Sequence, residues 1–119
     1  MDKSLTRTTD TFPEDQPDVY LGNGLIGYRV RPNPFTSRQS FVSGFVREHD
    51  PGRFETFANA PYPLAMDFRL DKSPWSISER GEEVDVVSQS LDMSRGELAT
   101  RMRMPLGDGV AEVSVLQFV

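Results

Sequence analysis

Apolar and polar residues alternate along several stretches of the chain, one of them near its C-terminal end. Across residues 97–104, Leu98, Met102 and Met104 share one parity, while Arg101 and Arg103 share the other. Successive side chains of a strand point to opposite faces, so this period of two predicts a half-buried strand. Gly107-Asp108-Gly109 follows as a hairpin connection into a last strand over residues 110–119. Residues 64–70 show the cleanest alternation, with Leu64, Met66, Phe68 and Leu70 against Asp67 and Arg69, and predict a half-buried strand. Residues 84–91 set Val84 and Val86 on one face and Val87 and Leu91 on the other. A strand carrying Leu25, Ile26, Tyr28 and Val30 is ended by Pro32 and Pro34, which cannot donate to a ladder. In residues 40–46 both parities are apolar, which predicts a central strand. Short strands are expected over 54–58 and 75–78, separated by turns at Asp50-Pro51-Gly52, Asp71-Lys72-Ser73-Pro74 and Arg80-Gly81-Glu82.

Seven or eight short strands at this spacing predict an all-β fold, an antiparallel β-sandwich. Residues 1–20, rich in Thr, Asp and Pro and without periodicity, read as an extended or mobile lead-in; residues 21–119 read as the sandwich segment. The one helix-compatible stretch, residues 93–98, is interrupted by Gly96. The last strand is apolar up to Val119, which predicts a sandwich cut short at its C-terminal end. Open strand edges invite pairing, so either a self-contained subset of strands or a homodimer that covers the edge is expected.

A length of 119 residues fits one domain. Eighteen acidic residues against 13 basic ones give a net charge of −5. That sign repels phosphate backbones and anionic lipid headgroups, so neither nucleic acid nor a membrane surface is an expected partner. No apolar run approaches the roughly 18 residues of a membrane helix. The first 20 residues lack an apolar core flanked as in a signal peptide, and a cytoplasmic location is expected. With no Cys, disulfides, thiolate metal sites and cysteine nucleophiles are excluded.

Candidate chemistry is sparse. His49, the one histidine, sits between Glu48 and Asp50 before a Pro-Gly turn, where neighbouring side chains diverge. It reads as an exposed loop residue, and no metal site or cofactor is implied. The acids Asp67, Glu79, Glu82, Glu83, Asp85, Asp92 and Glu97 show no spacing that marks a catalytic pair. Asp92 lies between two strands and is expected to accept backbone N–H bonds in the turn. Gly22, Gly24 and Gly27 do not feed a helix, so they form no phosphate cradle; Asn23 and Gly24 suit a tight turn instead. Trp75, with Tyr62 and Asn59, is the candidate carbohydrate-binding set, since sugars stack on aromatic rings beside a few polar groups.

Four segments in this order carry a family resemblance. They are Leu21-Gly22-Asn23-Gly24-Leu25-Ile26-Gly27-Tyr28-Arg29, Val42-Ser43-Gly44-Phe45-Val46, Ala58-Asn59-Ala60-Pro61-Tyr62-Pro63-Leu64, and Leu91-Asp92-Met93-Ser94-Arg95-Gly96-Glu97-Leu98 with Arg101. Together they resemble the N-terminal region of glycoside hydrolase family 65, the maltose, trehalose and kojibiose phosphorylases and acid-trehalase-like glucosidases. Val30 departs from the family's closing glycine of the first segment, and residues 31–39 and 47–57 have no counterpart pattern. The resemblance implies part of a galactose-mutarotase-like supersandwich. It implies a catalytic barrel elsewhere in the parent, acting on α-glucosides with phosphate or water, and no catalytic residue here. It makes Gly22, Asn23, Gly24, Gly27, Arg29, Leu91, Asp92, Gly96 and Arg101 structural motif residues. The alternatives are a carbohydrate-binding module and a stand-alone β interaction domain.

Overall fold

The computed structural model describes residues 5–37, 39–48, 55–67, 69, 84–106 and 108–119. Among them are eight strands: β1 (Thr6–Thr9), β2 (Val19–Gly22), β3 (Ile26–Val30), β4 (Ser40–Glu48), β5 (Glu55–Asn59), β6 (Asp85–Asp92), β7 (Glu97–Leu106) and β8 (Gly109–Phe118). One 3-10 turn, Pro34–Thr36, is capped by the Asn33 side chain. The strands form two four-stranded sheets in the orders β1-β6-β7-β8 and β2-β3-β4-β5. All six pairings are antiparallel. The chain is an all-β, two-sheet sandwich.

β7 shows why the pattern in its sequence is regular. Leu98, Thr100, Met102 and Met104 are buried, and Ala99, Arg101 and Arg103 are exposed. The tight connection to β8 pairs Leu106 with Gly109 and fixes the register along the whole hairpin. On β8 the inward set is Ala111, Val113, Val115 and Gln117, opposite Met104, Met102, Thr100 and Leu98.

β6 departs from simple alternation. Its pairing steps from Val86–Met102 to Ser88–Arg101, so Val87 is an extra residue in the ladder. A bulge of one residue reverses parity beyond it. Val86 and Leu91 therefore face the same layer, each opposite a buried β7 residue, rather than opposite faces as their spacing suggests.

Three other expectations change. β4 does lie between two neighbours, yet Phe45 and Val46 are mostly exposed. The ladder jumps from Val42–Ala58 to Val46–Phe57, which lifts the intervening residues out of the pleat. Residues 64–67 are not strand. The Ala65 N–H donates to the Tyr62 carbonyl at 2.9 Å in a turn set by Pro61 and Pro63, and Met66 faces solvent. The lead-in holds β1 and the start of β2. β1 is polar and nearly all exposed, so no alternation announces it. The expected strand over 75–78 and the three turns flanking positions 50–82 lie outside the described residues.

The core joins the two sheets. Leu21 of β2, Tyr28 and Val30 of β3, Tyr62 and Leu98 of β7 form one buried cluster, with Val19, Leu64 and Leu91 against it. Val84, Met102 and Met104 form a second, flanked by Phe35, Val86 and the inward residues of β8. Leu98 is fully buried in the first cluster, so Leu98→Ala should cost about 2–5 kcal/mol. Urea unfolding of the variant checks this, and a loss under about 1 kcal/mol would mean the sheets do not close on Leu98.

Candidate functional site

The β2–β3 hairpin carries the first motif. The Asn23 Oδ1 accepts the backbone N–H groups of Leu25 at 2.9 Å and Ile26 at 3.0 Å. The Asn23 N–H donates to the Ile26 carbonyl at 3.1 Å. Gly24 sits at φ +88°, a conformation L side chains rarely adopt, so the Asn-Gly pair builds the turn.

Beyond the turn, Gly22 and Gly27 face each other across the ladder, and Tyr20 faces Arg29. Leu21 and Tyr28 point into the core, so Tyr20, Gly22, Gly27 and Arg29 all lie on the outer face. The Tyr20 ring lies across both glycines. A Cβ added at Gly27 would overlap the Tyr20 hydroxyl, and one at Gly22 would stand 2.9 Å from Cε1. The glycines are thus the seat of an aromatic ring, a packing that compensates the missing side chains.

The same outer face continues onto β4 and β5. Gly27 pairs with Phe41, and Phe41 with Asn59. Leu25 joins this face by strand alternation, and the Ser43 N–H donates to the Leu25 carbonyl at 2.7 Å beside it. A cavity of about 450 Å³ opens here, with Tyr20, Leu25, Gly27, Arg29, Phe41 and Ser43 among its lining. Arg29 makes no side-chain hydrogen bond or ion pair among the described residues.

The second motif also builds a hairpin. The Asp92 Oδ1 accepts the Ser94 hydroxyl at 2.6 Å, the Ser94 N–H at 2.9 Å and the Arg95 N–H at 3.3 Å. The Ser94 hydroxyl leads in holding this carboxyl below its ordinary range, with the two backbone donors and the Arg95 charge adding to it. Gly96, at φ +65°, closes the loop before β7. Leu91 packs on the core. Arg101 donates Nη2 to Glu112 at 2.9 Å, and Arg103 stands 3.8 Å from the same carboxylate.

Of the expected carbohydrate set, Asn59 and Tyr62 are among the described residues. Asn59 is exposed at the end of β5, on the outer face. Tyr62 is 5% exposed in the core, edge-on to Tyr28 at 5.7 Å, and its hydroxyl accepts Gln117 Nε2 at 3.0 Å. Trp75 and His49 lie outside the described residues. Among the described residues there is no cluster that could hold a metal ion and no helix long and apolar enough to cross a membrane. Sequence reasoning missed Tyr20 and Phe41. The signal in the sequence is limited to Tyr20 two positions before Gly22, with Gly27 beyond the Asn-Gly turn; the pairing of the two glycines is seen in the structure.

Two tests follow from this geometry. Gly27→Ala should lose about 1–3 kcal/mol because the new methyl displaces the ring. Tyr20→Ala in the same chain should recover part of that loss, whereas additive losses would mean the ring does not rest on Gly27. Burial raises the Tyr28 phenol above 10.0, and the neighbouring Tyr62 adds to the shift. Burial likewise raises Tyr62, against smaller opposing hydrogen bonds from Gln117 and Ser37. The folded state therefore holds these protons longer than the unfolded chain. Stability should be intact below about pH 10 and fall as pH rises through the raised values. Alkaline titration followed by tyrosine absorbance and circular dichroism checks this. Ionisation of both rings at the ordinary value with the fold retained would contradict it.

A family model described as glycosyl hydrolase family 65, N-terminal domain, matches residues 15–119. No curated protein and no solved structure matches the chain.

Proposed function

The chain belongs to glycoside hydrolase family 65, matching its N-terminal domain, and from that premise we propose that it is a non-catalytic scaffold for a catalytic barrel of its parent protein. In this reading the parent is an α-glucoside phosphorylase or hydrolase of carbohydrate metabolism, and the sandwich supports the mouth of the barrel. The observation that carries it is the employment of the motif residues. Asn23 and Asp92 spend their side-chain oxygens on hairpin donors, Leu91 fills the core, and Arg101 is paired with Glu112. A carboxyl held ionised by such bonds, as Asp92 is, makes a poor general acid.

The same reading gives β8 a role in subunit or barrel contact. β8 is an outer strand of its sheet, and Val110, Leu116 and Phe118 are exposed on it. A long apolar edge of this kind favours pairing, either with the parent's remaining chain or in a homodimer.

The test is an assay of the purified, folded 119-residue chain on maltose, trehalose and kojibiose, with and without phosphate. No release of glucose or glucose 1-phosphate is expected. Robust turnover that follows the chain through purification would overturn the proposal.

A further inference from the structure

The outer face of the β2–β5 sheet is built differently from the outer face of the β6–β8 sheet. On the latter, Arg101 and Arg103 are both drawn to Glu112, and the charges there satisfy one another. On the former, Arg29 has no such partner among the described residues and stands beside a cavity of about 450 Å³. That volume lies in the roughly 300–1,000 Å³ range of small-molecule clefts.

We propose that this cavity binds a neutral sugar, a glycoside of one or two rings, stacked against Tyr20 and Phe41 and held through its hydroxyls by Arg29, Ser43 and Asn59. The inference goes beyond the scaffold reading, because a scaffold needs no ligand of its own.

Two features select this ligand class. First, Tyr20 is 60% exposed although its ring is fixed across Gly22 and Gly27. A ring seated on backbone at one side and open on the other is an ordered platform, so stacking on it forfeits little side-chain entropy. Sugar rings present a flat C–H face that packs on such a surface. Second, the polar groups are few and of the kind hydroxyls match. Arg29 offers a planar fork of donors, Ser43 can donate or accept, and the Asn59 amide offers both. Asn59 lies directly across the ladder from Phe41, on the same face of the sheet.

The experiment is a two-dimensional amide NMR titration of the 119-residue chain with maltose, with glucose and, separately, with inorganic phosphate. Saturable shifts are expected with the sugars at Tyr20, Leu25, Gly27, Arg29, Phe41 and Ser43, with a dissociation constant on the order of millimolar. Phosphate should leave these amides in place. Arg29→Gln should keep the melting temperature, since Arg29 holds no described partner, and weaken maltose about tenfold. Tyr20→Ala should abolish the shifts. No saturable shift with either sugar, shifts produced by phosphate alone, or sugar binding untouched by Arg29→Gln would each overturn the proposal. The turnover assay separates the two readings. A chain that neither binds nor turns over sugar keeps the scaffold and loses this site, while turnover removes the scaffold whatever the cavity binds.

Discussion

Gln89 and Gln117 are both nearly fully buried between the sheets. A buried amide without a partner costs about 1–3 kcal/mol, so each of these side chains constrains what must lie opposite it. Gln89 Nε2, on β6, shares its donors among the Arg31 carbonyl at 2.9 Å, the Pro32 carbonyl at 3.2 Å and Thr100. Gln117, on β8, donates to the Tyr62 hydroxyl. In the opposite sense, the Tyr28 hydroxyl of β3 donates to the Phe118 carbonyl of β8 at 3.0 Å. The Tyr28 bond joins strands of the two sheets, the Gln89 and Gln117 bonds reach from one sheet to the segments that follow β3 and β5 of the other, and the Gln89–Thr100 bond stays within its own sheet. Apolar contacts alone tolerate sliding, whereas a hydrogen bond at about 3 Å does not. The pairing of the sheets in one relative position rests on them.

That docking decides which face of each strand is free. With Leu21, Tyr28 and Val30 committed to the core, Tyr20, Gly27 and Arg29 must face outward. The seat of Tyr20 on the two glycines, and the cavity beside it, follow from the same commitment. The two hairpins contribute locally: Asn23 with Gly24, and Asp92 with Gly96, each combine a side-chain acceptor with a positive-φ residue. These pairs fix the geometry of each loop from residues within it.

Much of the fold was legible because its strands bury one face. β7 could be read residue by residue from Leu98, Met102 and Met104 against Arg101 and Arg103. The hairpin role of Asp92 followed equally from its position between two strands. β1 was silent because both of its faces are polar and largely exposed, and β6 was misread at Val87 because a bulge leaves no mark in a hydrophobic pattern. Residues 64–67 show the converse, since alternation was present but two prolines and a turn took the segment out of the sheet. The site was less legible. Tyr62 looked available as an aromatic beside Asn59, yet Pro61 and Pro63 turn it inward to Tyr28. Tyr20 read as the last residue of an extended or mobile lead-in. Its importance depends on Gly22 facing Gly27, a register that sequence does not display.

The central claim is that cross-sheet polar ties make the two sheets one cooperative unit. Native-state hydrogen exchange on the chain tests it most directly, with Gln89→Leu as the companion variant. The account predicts that the most protected amides of β3 and of β7 open with the same free energy, and that the variant lowers both together. Separate opening energies for the two sheets, with only β6–β8 responding to the variant, would contradict it.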